Sequence, residues 1–281
     1  MLALEEPEAH LHPNAQRQLY KQLKEINGQK IISTHSPYVV GLAELDEIRY
    51  FYRENEETIV RSIDISTFTL EQIRKIKRHI LHSKGELLFS KLVILVEGET
   101  EEQLLPILAN SYFQKEPFEM GINFIGVGGT NYESFIRLFN ILDIKWIVFS
   151  DYDTVETKKY VNNALTKNGL NLENTLNSSK IILLEKDIEQ YLVDVAFVDE
   201  LREGCYKFID SYYSSEQMRA EKQAFIDDNS NNNENLVKFL KSNKTKLAPY
   251  YAEEIANITD ETRRIPPKIK ALFEAIEAKL I

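Results

Sequence analysis

Cysteine is almost missing: Cys205 is the only one in 281 residues. An internal disulfide and a cysteine-based zinc site are therefore excluded, and an intracellular, cytoplasmic location is expected. No apolar run approaches the roughly 18 residues of a membrane span, and no secretory signal is visible, so no membrane partner is expected. Positive charge is in deficit. Against 44 aspartates and glutamates stand 34 lysines and arginines, a net charge of −10. That excludes attraction to nucleic acid through whole-molecule charge, but not a local basic groove or a contact through a metal ion. Also absent is Gly-x-x-x-x-Gly-Lys-Ser/Thr, the loop that cradles nucleotide phosphates. What is present, at 43% hydrophobic and 28% charged residues, is ordinary globular material. Its length suggests about two domains.

The stretch from Lys91 to Glu102 organises the rest. Leu92 to Val96 is a continuous apolar run, too short for a helix and rich in β-branched residues. It reads as a strand buried on both faces. Gly98 breaks it. From Thr100 onward, acids and then Leu104, Leu105, Ile107 and Leu108 read as a helix. Glu97 thus sits at the carboxyl end of a buried strand, where open α/β sheets build their sites, and Glu101 follows one turn on. Residues 145–149 form a second such strand, running into Ser150-Asp151-Tyr152-Asp153. If still extended, Asp151 and Asp153 point to one side. Carboxylates this close repel unless a cation lies between them, and hard oxygen ligands suit Mg²⁺ or Mn²⁺. A Glu after one strand and Asp-x-Asp after a later one resembles the Toprim domain. That domain is shared by topoisomerases, DnaG-type primases and nucleases of the OLD (overcoming lysogenization defect) family.

The first 63 residues help to choose among these. An apolar start ends in Glu5-Glu6-Pro7-Glu8-Ala9-His10-Leu11-His12-Pro13. A helix with Leu19, Leu23 and Ile26 on one face follows and is stopped by Gly28. Residues 30–34 read as a strand ahead of His35-Ser36-Pro37. Residues 48–53 and 58–63 alternate as a hairpin around Glu54-Asn55-Glu56. Two acids at one strand end and a histidine at the next can face one phosphate; equally, these residues cap the remainder, with solvated acids. The segment Leu-Glu-Glu-Pro-Glu-Ala-His-Leu-His-Pro, with Thr34-His35-Ser36, resembles the Walker B strand and switch histidine of an ABC-type ATPase in its OLD-family version. The resemblance implies that Glu5 supports Mg²⁺, Glu6 polarises the attacking water and His35 senses the γ-phosphate. Since the phosphate loop and the Ser-Gly-Gly signature are both missing, the expectation is the C-terminal part of a longer protein, with ATP a ligand of the full-length form alone.

Between residues 67 and 90, Leu70, Ile73, Ile76 and Ile80 recur at helical spacing, with Arg74, Lys75, Lys77, Arg78 and Lys84 between them. These cations form a solvated face or, through Lys75, Lys77 and Arg78, a contact to a nucleic-acid backbone. Further on, residues 122–125 read as a strand ending in Gly126-Val127-Gly128-Gly129-Thr130-Asn131. The spacing is wrong for a dinucleotide loop, and a tight turn explains it. Helices over 132–142 and 155–169 and a strand over 180–184 follow. Strands alternating with helices imply right-handed crossovers and a mostly parallel sheet. The last strand runs into Glu185-Lys186-Asp187-Ile188-Glu189. Its acids read as the first turn of the next helix, or Glu189 belongs to the site, as likeness to an OLD Asp-Ile/Leu-Glu segment implies. Residues 195–239 are mostly helical and polar, with a loop tip at 228–233. Lys244, Ala248 and Ala252 resemble the OLD lysine and small-residue helix that close the site. Lys246 is the fallback, and both lysines also read as a solvated pair ahead of a helix. After Pro266-Pro267, residues Ile269, Leu272, Phe273, Ile276 and Leu280 form one helical face for docking.

The resemblance covers nearly the whole chain and implies an α/β protein in three parts. Residues 1–66 would be the end of an ABC-type ATPase lobe and 67–90 a helical connector. Residues 91–281 would be a Rossmann-like Toprim domain with a helical insertion near 195–243. The implied activity is metal-dependent DNA endonuclease, with Gabija-type anti-phage defence nucleases as relatives. Two ions are implied: Glu97, Asp151 and Asp153 hold one, and Glu101 and Glu189 help to hold the other. Glu97, Asp151 and Lys244 carry the catalysis. DNA, self-association through the ATPase or Toprim region, and a defence-system partner protein are the implied partners. Two alternatives stay open: primase- or topoisomerase-like chemistry, for which no tyrosine stands out as nucleophile, and a non-catalytic assembly or regulatory module.

Without a phosphate loop the chain does not turn over ATP. Phosphate release by the purified chain stays at the level of a Glu6→Gln control; release above that control refutes the expectation.

Overall fold

The alternation of apolar runs with amphipathic segments is realised, in a computed structural model, as a mixed α/β fold. The structure describes residues 1–78, 85–129, 132–228 and 232–280. Expectations that involve Ile80, Lys84, Thr130, Asn131, Asn229, Ser230 or Asn231 lie outside the described residues. The chain divides into two compact units: Met1–Lys91 with Glu133–Lys145, and Leu92–Tyr132 with Trp146–Ile281. The stretch expected as a separate connector clusters with the first unit, and so does residues 133–145, expected in the second.

The first unit contains β1 (Leu2–Glu5), α1 (Pro13–Glu25), β2 (Lys30–Ser33), α2 (Pro37–Val40), β3 (Arg49–Glu54), β4 (Glu57–Ser62) and α3 (Leu70–Ile76). β1 and β2 pair in parallel, Leu2 opposite Lys30. α1 opens on Pro13, whose missing N–H is harmless in a first turn. It buries Tyr20 and Leu23, whereas Ile26, expected on that face, caps the helix and is exposed. β3 and β4 pair antiparallel. Asn55 and Glu56 join them with φ of 46° and 67°, the two left-handed residues that a tight hairpin needs. Residues 133–145 are tied to this unit by polar contacts: Gln72 donates to Glu133 at 2.6 Å, and Arg61 pairs with Asp143 at 3.2 Å.

The second unit begins with β5 (Leu92–Val96), α4 (Glu99–Phe113) and β6 (Ile122–Gly126); α5 (Tyr132–Leu142), which after its first residue belongs to the first unit, leads to β7 (Lys145–Asp151), which belongs to the second from Trp146 on. Next come α6 (Val155–Lys167), α7 (Leu172–Asn177) and β8 (Ile181–Leu184). A helical region follows: α8 (Ile188–Asp194), α9 (Val198–Tyr212), α10 (Glu216–Asp227), α11 (Glu234–Ser242), α12 (Lys244–Ala256) and α13 (Pro267–Leu280). The strand order is β6-β5-β7-β8, with β5–β6 and β7–β8 in parallel register. The connections therefore leave the β5–β7 pair in opposite directions, and such a reversal opens a crevice at the carboxyl ends of the two strands. β5 is buried throughout, and β7 from Trp146 to Asp151. Leu92, Ile94 and Val96 of β5 and Ile147 and Phe149 of β7 share one core with α4, α8, α9 and α11–α13. Because side chains alternate, Asp151 falls on the same side of β7 as Ile147 and Phe149, toward that helical layer.

α12 packs against both α4 and α9. The approach to α9 is close because Gly204 has no side chain: a Cβ there would lie 2.6 Å from the Tyr251 backbone. Ala248 and Ala252, both fully buried, keep α12 slim. Among the described residues no helix is long and apolar enough to cross a membrane. Gly204→Ala forces α12 outward and costs roughly 1–3 kcal/mol of stability, the usual penalty of overpacking. Urea unfolding measures it, and an unchanged midpoint contradicts this packing.

Candidate metal centre

The turn after β5 is shaped by one side chain. Gly98 is extended, and Glu101, three residues on, folds its carboxylate back to accept the Gly98 N–H at 3.0 Å. This is half of a capping box, since glycine has no side chain to complete it. It ties Glu101, 6% exposed, to the positive end of α4. The glycine-rich segment after β6 braces the same turn. Val127 N–H donates to Val96 O at 2.9 Å and Gly129 N–H to Glu97 O at 3.0 Å. A Cβ on Gly126 would come within 2.7 Å of Glu102 Oε2 and 3.1 Å of Gly98 O. The glycines serve close packing of two strand ends, in keeping with the turn reading.

β7 remains a strand through Asp151, which is buried. The chain then leaves the sheet, so Asp153 does not continue the alternation. It is exposed, and its Oδ1 accepts from Thr154 N–H at 2.7 Å. After β8, Asp187 caps α8 by accepting Gln190 N–H at 3.0 Å, while Glu185 is exposed. Glu189, in the first turn of α8, is fully buried, and neither of its oxygens has an aligned hydrogen-bond partner. The reading of these acids as the start of the next helix holds for Asp187, its N-cap, and for Glu189, in its first turn. Lys244, first residue of α12, lies with Nζ 3.2 Å from Glu189 Oε2. Lys241, at the end of α11, pairs with Asp187 at 2.6 Å. Lys246 turns away: its Nζ meets Tyr212 OH at 3.0 Å and lies 4.8 Å from that ring's centroid.

Electrostatics follow from this convergence. Burial, then the charges of Glu101 and Asp153, raise the Glu97 pKa to about 7, against the pull of Lys244. Burial and the charges of Glu101, Glu97, Asp153 and Asp187 raise Asp151 to about 9. Burial also raises Glu101 and Glu189. For Asp187 burial is outweighed by Lys241, the Gln190 N–H and Lys244, and its pKa is lowered. Lys244 is held above its ordinary value because Glu189, Asp187 and Glu101 outweigh its own burial. Tyr132, almost wholly buried and facing Glu97, Glu101 and Asp151, keeps its proton far above the usual range. The groups that act most strongly on Asp151 are burial and four negative charges, an environment that a divalent cation relieves. All the oxygens are hard, as Mg²⁺ and Mn²⁺ require. Among the described residues no three such side chains are already drawn into a closed cage. The donors fit such a cation in their chemistry, being anionic oxygens, and not in their present spacing.

Residues 88–153 match the family model described as overcoming lysogenization defect protein-like, TOPRIM domain. The chain carries an OLD-like Toprim domain. Residues 1–86 match a second model, described as a protein of unknown function (DUF2813). The chain is 25% identical, over 94% of its length, to a protein named endonuclease GajA from Bacillus cereus, of which it spans 41%. It is 29% identical to a protein named OLD nuclease from Thermus scotoductus, over 53% of this chain and 30% of that one. It thus spans less than half the length of either relative. The solved C-terminal region of the Burkholderia pseudomallei OLD protein superposes with a TM-score of 0.50 at 24% identity, covering 69% of this chain and 100% of that one. That likeness is one of fold.

In the second unit, Glu97, Glu101, Asp151, Asp153, Glu189 and Lys244 come together electrostatically. Asp187, Lys241 and Tyr132 join them without having been singled out from sequence. A signal existed for Lys241, three residues before Lys244, but polar spacing alone did not reveal its partner. In the first unit, His35 Nε2 lies 3.4 Å from Glu6 Oε1, both side chains open to solvent, and Glu5 is exposed. The buried acid there is Glu8, which accepts from Thr34 Oγ1 and has its other oxygen unpartnered. Lys75 pairs with Glu71 at 3.2 Å and Lys77 with Glu44, and Arg78 is also engaged.

A carboxyl whose pKa rises on folding binds its proton more tightly in the native state. Its contribution is therefore complete below the unfolded value and is lost as pH rises toward the folded one. For Asp151 that window runs from near 4 to about 9. In EDTA, Asp151→Asn stabilises the protein by at least about 1 kcal/mol at pH 8 and by much less near pH 5, since one pKa unit is worth about 1.4 kcal/mol. Denaturant titrations at both pH values test this; an equal difference at both contradicts it.

Proposed function

We propose that the Toprim unit is a metal-dependent DNA endonuclease. The observation that carries this reading is the gathering of Glu97, Glu101, Asp151 and Glu189 at the ends of β5, β7 and β8, with Lys244 on their flank. The names of the two relatives, an endonuclease and a nuclease, support it. Glu97, Asp151 and Asp153 would hold one Mg²⁺ or Mn²⁺, and Glu101 and Glu189 would help to hold a second. Such ions supply Lewis-acid activation of water and neutralise charge on a phosphodiester.

The chain's own groups do the rest. Glu97, with its pKa near neutrality, releases its proton readily on loading, and Asp151 does so as pH rises. Glu189 anchors Lys244, which stays protonated and sets a fixed positive charge beside the phosphate. A fixed charge of this kind stabilises the negative charge that develops on oxygen as the P–O bond breaks. Lys241 keeps Asp187 ionised at the rim. Tyr132 and Tyr251, both buried, limit water on the inner side. ATP-linked control through Glu5, Glu6 and His35, self-association and a role in anti-phage defence follow from the family resemblance; the contact between His35 and Glu6 supports the first of these.

Purified protein is expected to nick or cut plasmid DNA with Mg²⁺ or Mn²⁺, and EDTA to stop it. Glu97→Ala and Asp151→Ala each abolish cutting; wild-type rates in either variant overturn the site assignment. Lys244→Ala slows single-turnover cleavage by roughly 10²–10³. Lys246→Ala costs much less, chiefly through weaker, salt-sensitive binding. Equal losses at the two lysines contradict the role given to Lys244.

A further inference from the structure

The helical layer that supplies Lys244 contains a cleft that the proposed chemistry does not use. Lys222 and Phe225 of α10 face Lys238, Phe239 and Ser242 of α11 across a cavity of about 300 Å³. Each helix contributes one lysine and one phenylalanine. Lys222 and Phe225 are three residues apart, and Lys238 and Ser242 four, so each pair shares a helical face. Phe239 is buried and forms the floor, while Phe225 is 42% exposed, its ring unsheltered on one side. No carboxylate is among the lining residues. Glu221 directly precedes Lys222 in sequence, and Glu234 touches Lys238 at 3.7 Å with both side chains open to solvent, a contact of little strength.

Two further lysines follow those of the cleft in sequence and reach acids of the candidate centre. Lys241, which pairs with Asp187, lies less than one turn beyond Lys238 on α11, about 4.5 Å along the axis. Lys244 follows at the start of α12. In a chain of net charge −10, two lysines thus line the cleft without a carboxylate among its lining, and the next two along the chain are paired with acids of the candidate centre. An anionic polymer with flat, stackable groups matches such a lining: lysines for its phosphates and a partly exposed phenylalanine for a base.

We infer that the α10–α11 cleft seats a nucleotide of the DNA strand away from the scissile phosphate, with Phe225 against the base and Lys222 and Lys238 on the backbone. This rests on DNA being the substrate of the Toprim unit, and the test separates the two claims. Binding of a fluorescein-labelled oligothymidylate is followed by anisotropy in Mg²⁺, in a Glu97→Ala background so that the probe stays intact. Phe225→Ala weakens binding roughly 5- to 150-fold, the loss expected for one base–aromatic stack. Lys222→Gln with Lys238→Gln lowers the slope of log affinity against log salt by about 1.4, two single-strand phosphate contacts. A Lys159→Gln, Lys270→Gln control removes the same charge elsewhere and leaves the slope unchanged.

Loss of binding in the cleft variants sustains the inference even if wild-type protein cuts no DNA, an outcome that counts against the nuclease reading alone. Wild-type cutting with unaltered binding in the cleft variants overturns the inference and leaves the nuclease reading intact. Absence of oligonucleotide binding, or equal effects in cleft and control pairs, also overturns it.

Discussion

Like charges brought together under cover are the constraint on which the second unit depends. Glu97, Glu101, Asp151 and Glu189 are each pushed toward the protonated form, first by burial. Water would scatter these groups, so the backbone must hold them together. It does so by anchoring each to an element that the core immobilises: Asp151 to a strand buried on both faces, Glu101 to the first turn of α4, Glu189 to the first turn of α8. Local rules serve the same end. The Gly98–Glu101 hydrogen bond and the close approach of Gly126 settle a turn that would otherwise yield to repulsion.

The compensating cations are delivered by helices rather than by the sheet. Lys244 reaches Glu189 because α12 lies close to α4 and α9, and it lies close because Gly204, Ala248 and Ala252 have little or no side chain there. Lys241 reaches Asp187 from the end of the preceding helix. The helical region thus contributes packing and charge together. A shift of α12 moves the ammonium as well as the core, so stability and site geometry are coupled through the same residues.

The first unit handles its polar groups differently. Its one buried carboxylate, Glu8, is held by Thr34. The Thr34 hydroxyl also accepts Ser36 N–H at 2.9 Å, and the Ser36 hydroxyl donates to Gln16 at 2.6 Å. This network fixes the chain between β2 and α2, while His35 remains outside it, 84% of its side chain open to solvent. Glu6 stands in a left-handed conformation, φ 39°, that turns it out of line with β1. Acids and histidine at these strand ends are therefore oriented by a neighbouring buried residue that was not itself a candidate.

Much of this was legible in sequence because it is local. A five-residue apolar run rich in β-branched residues and bounded by glycine reads as a buried strand, Gly98 and Gly126 mark where strands end, and acids just after a strand lie at its carboxyl edge. Those rules yielded Glu97, Glu101, Asp151 and the parallel α/β sheet, and family likeness added Glu189 and Lys244. Three things were not legible. Asp153 leaves the strand after Asp151, because its carboxylate caps the next turn instead of extending the alternation. Ile26 ends a helix instead of lining it. Asp187 and Lys241 are 54 residues apart in sequence, and no period or motif links them. What the sequence determined alone is which residues stand at the ends of which strands, since hydrophobic period and turn chemistry depend on near neighbours. What the tertiary structure decided is which of those charges share one space and which lysine answers them: that depends on how closely α12 can approach α9, a contact between residues 204 and 251.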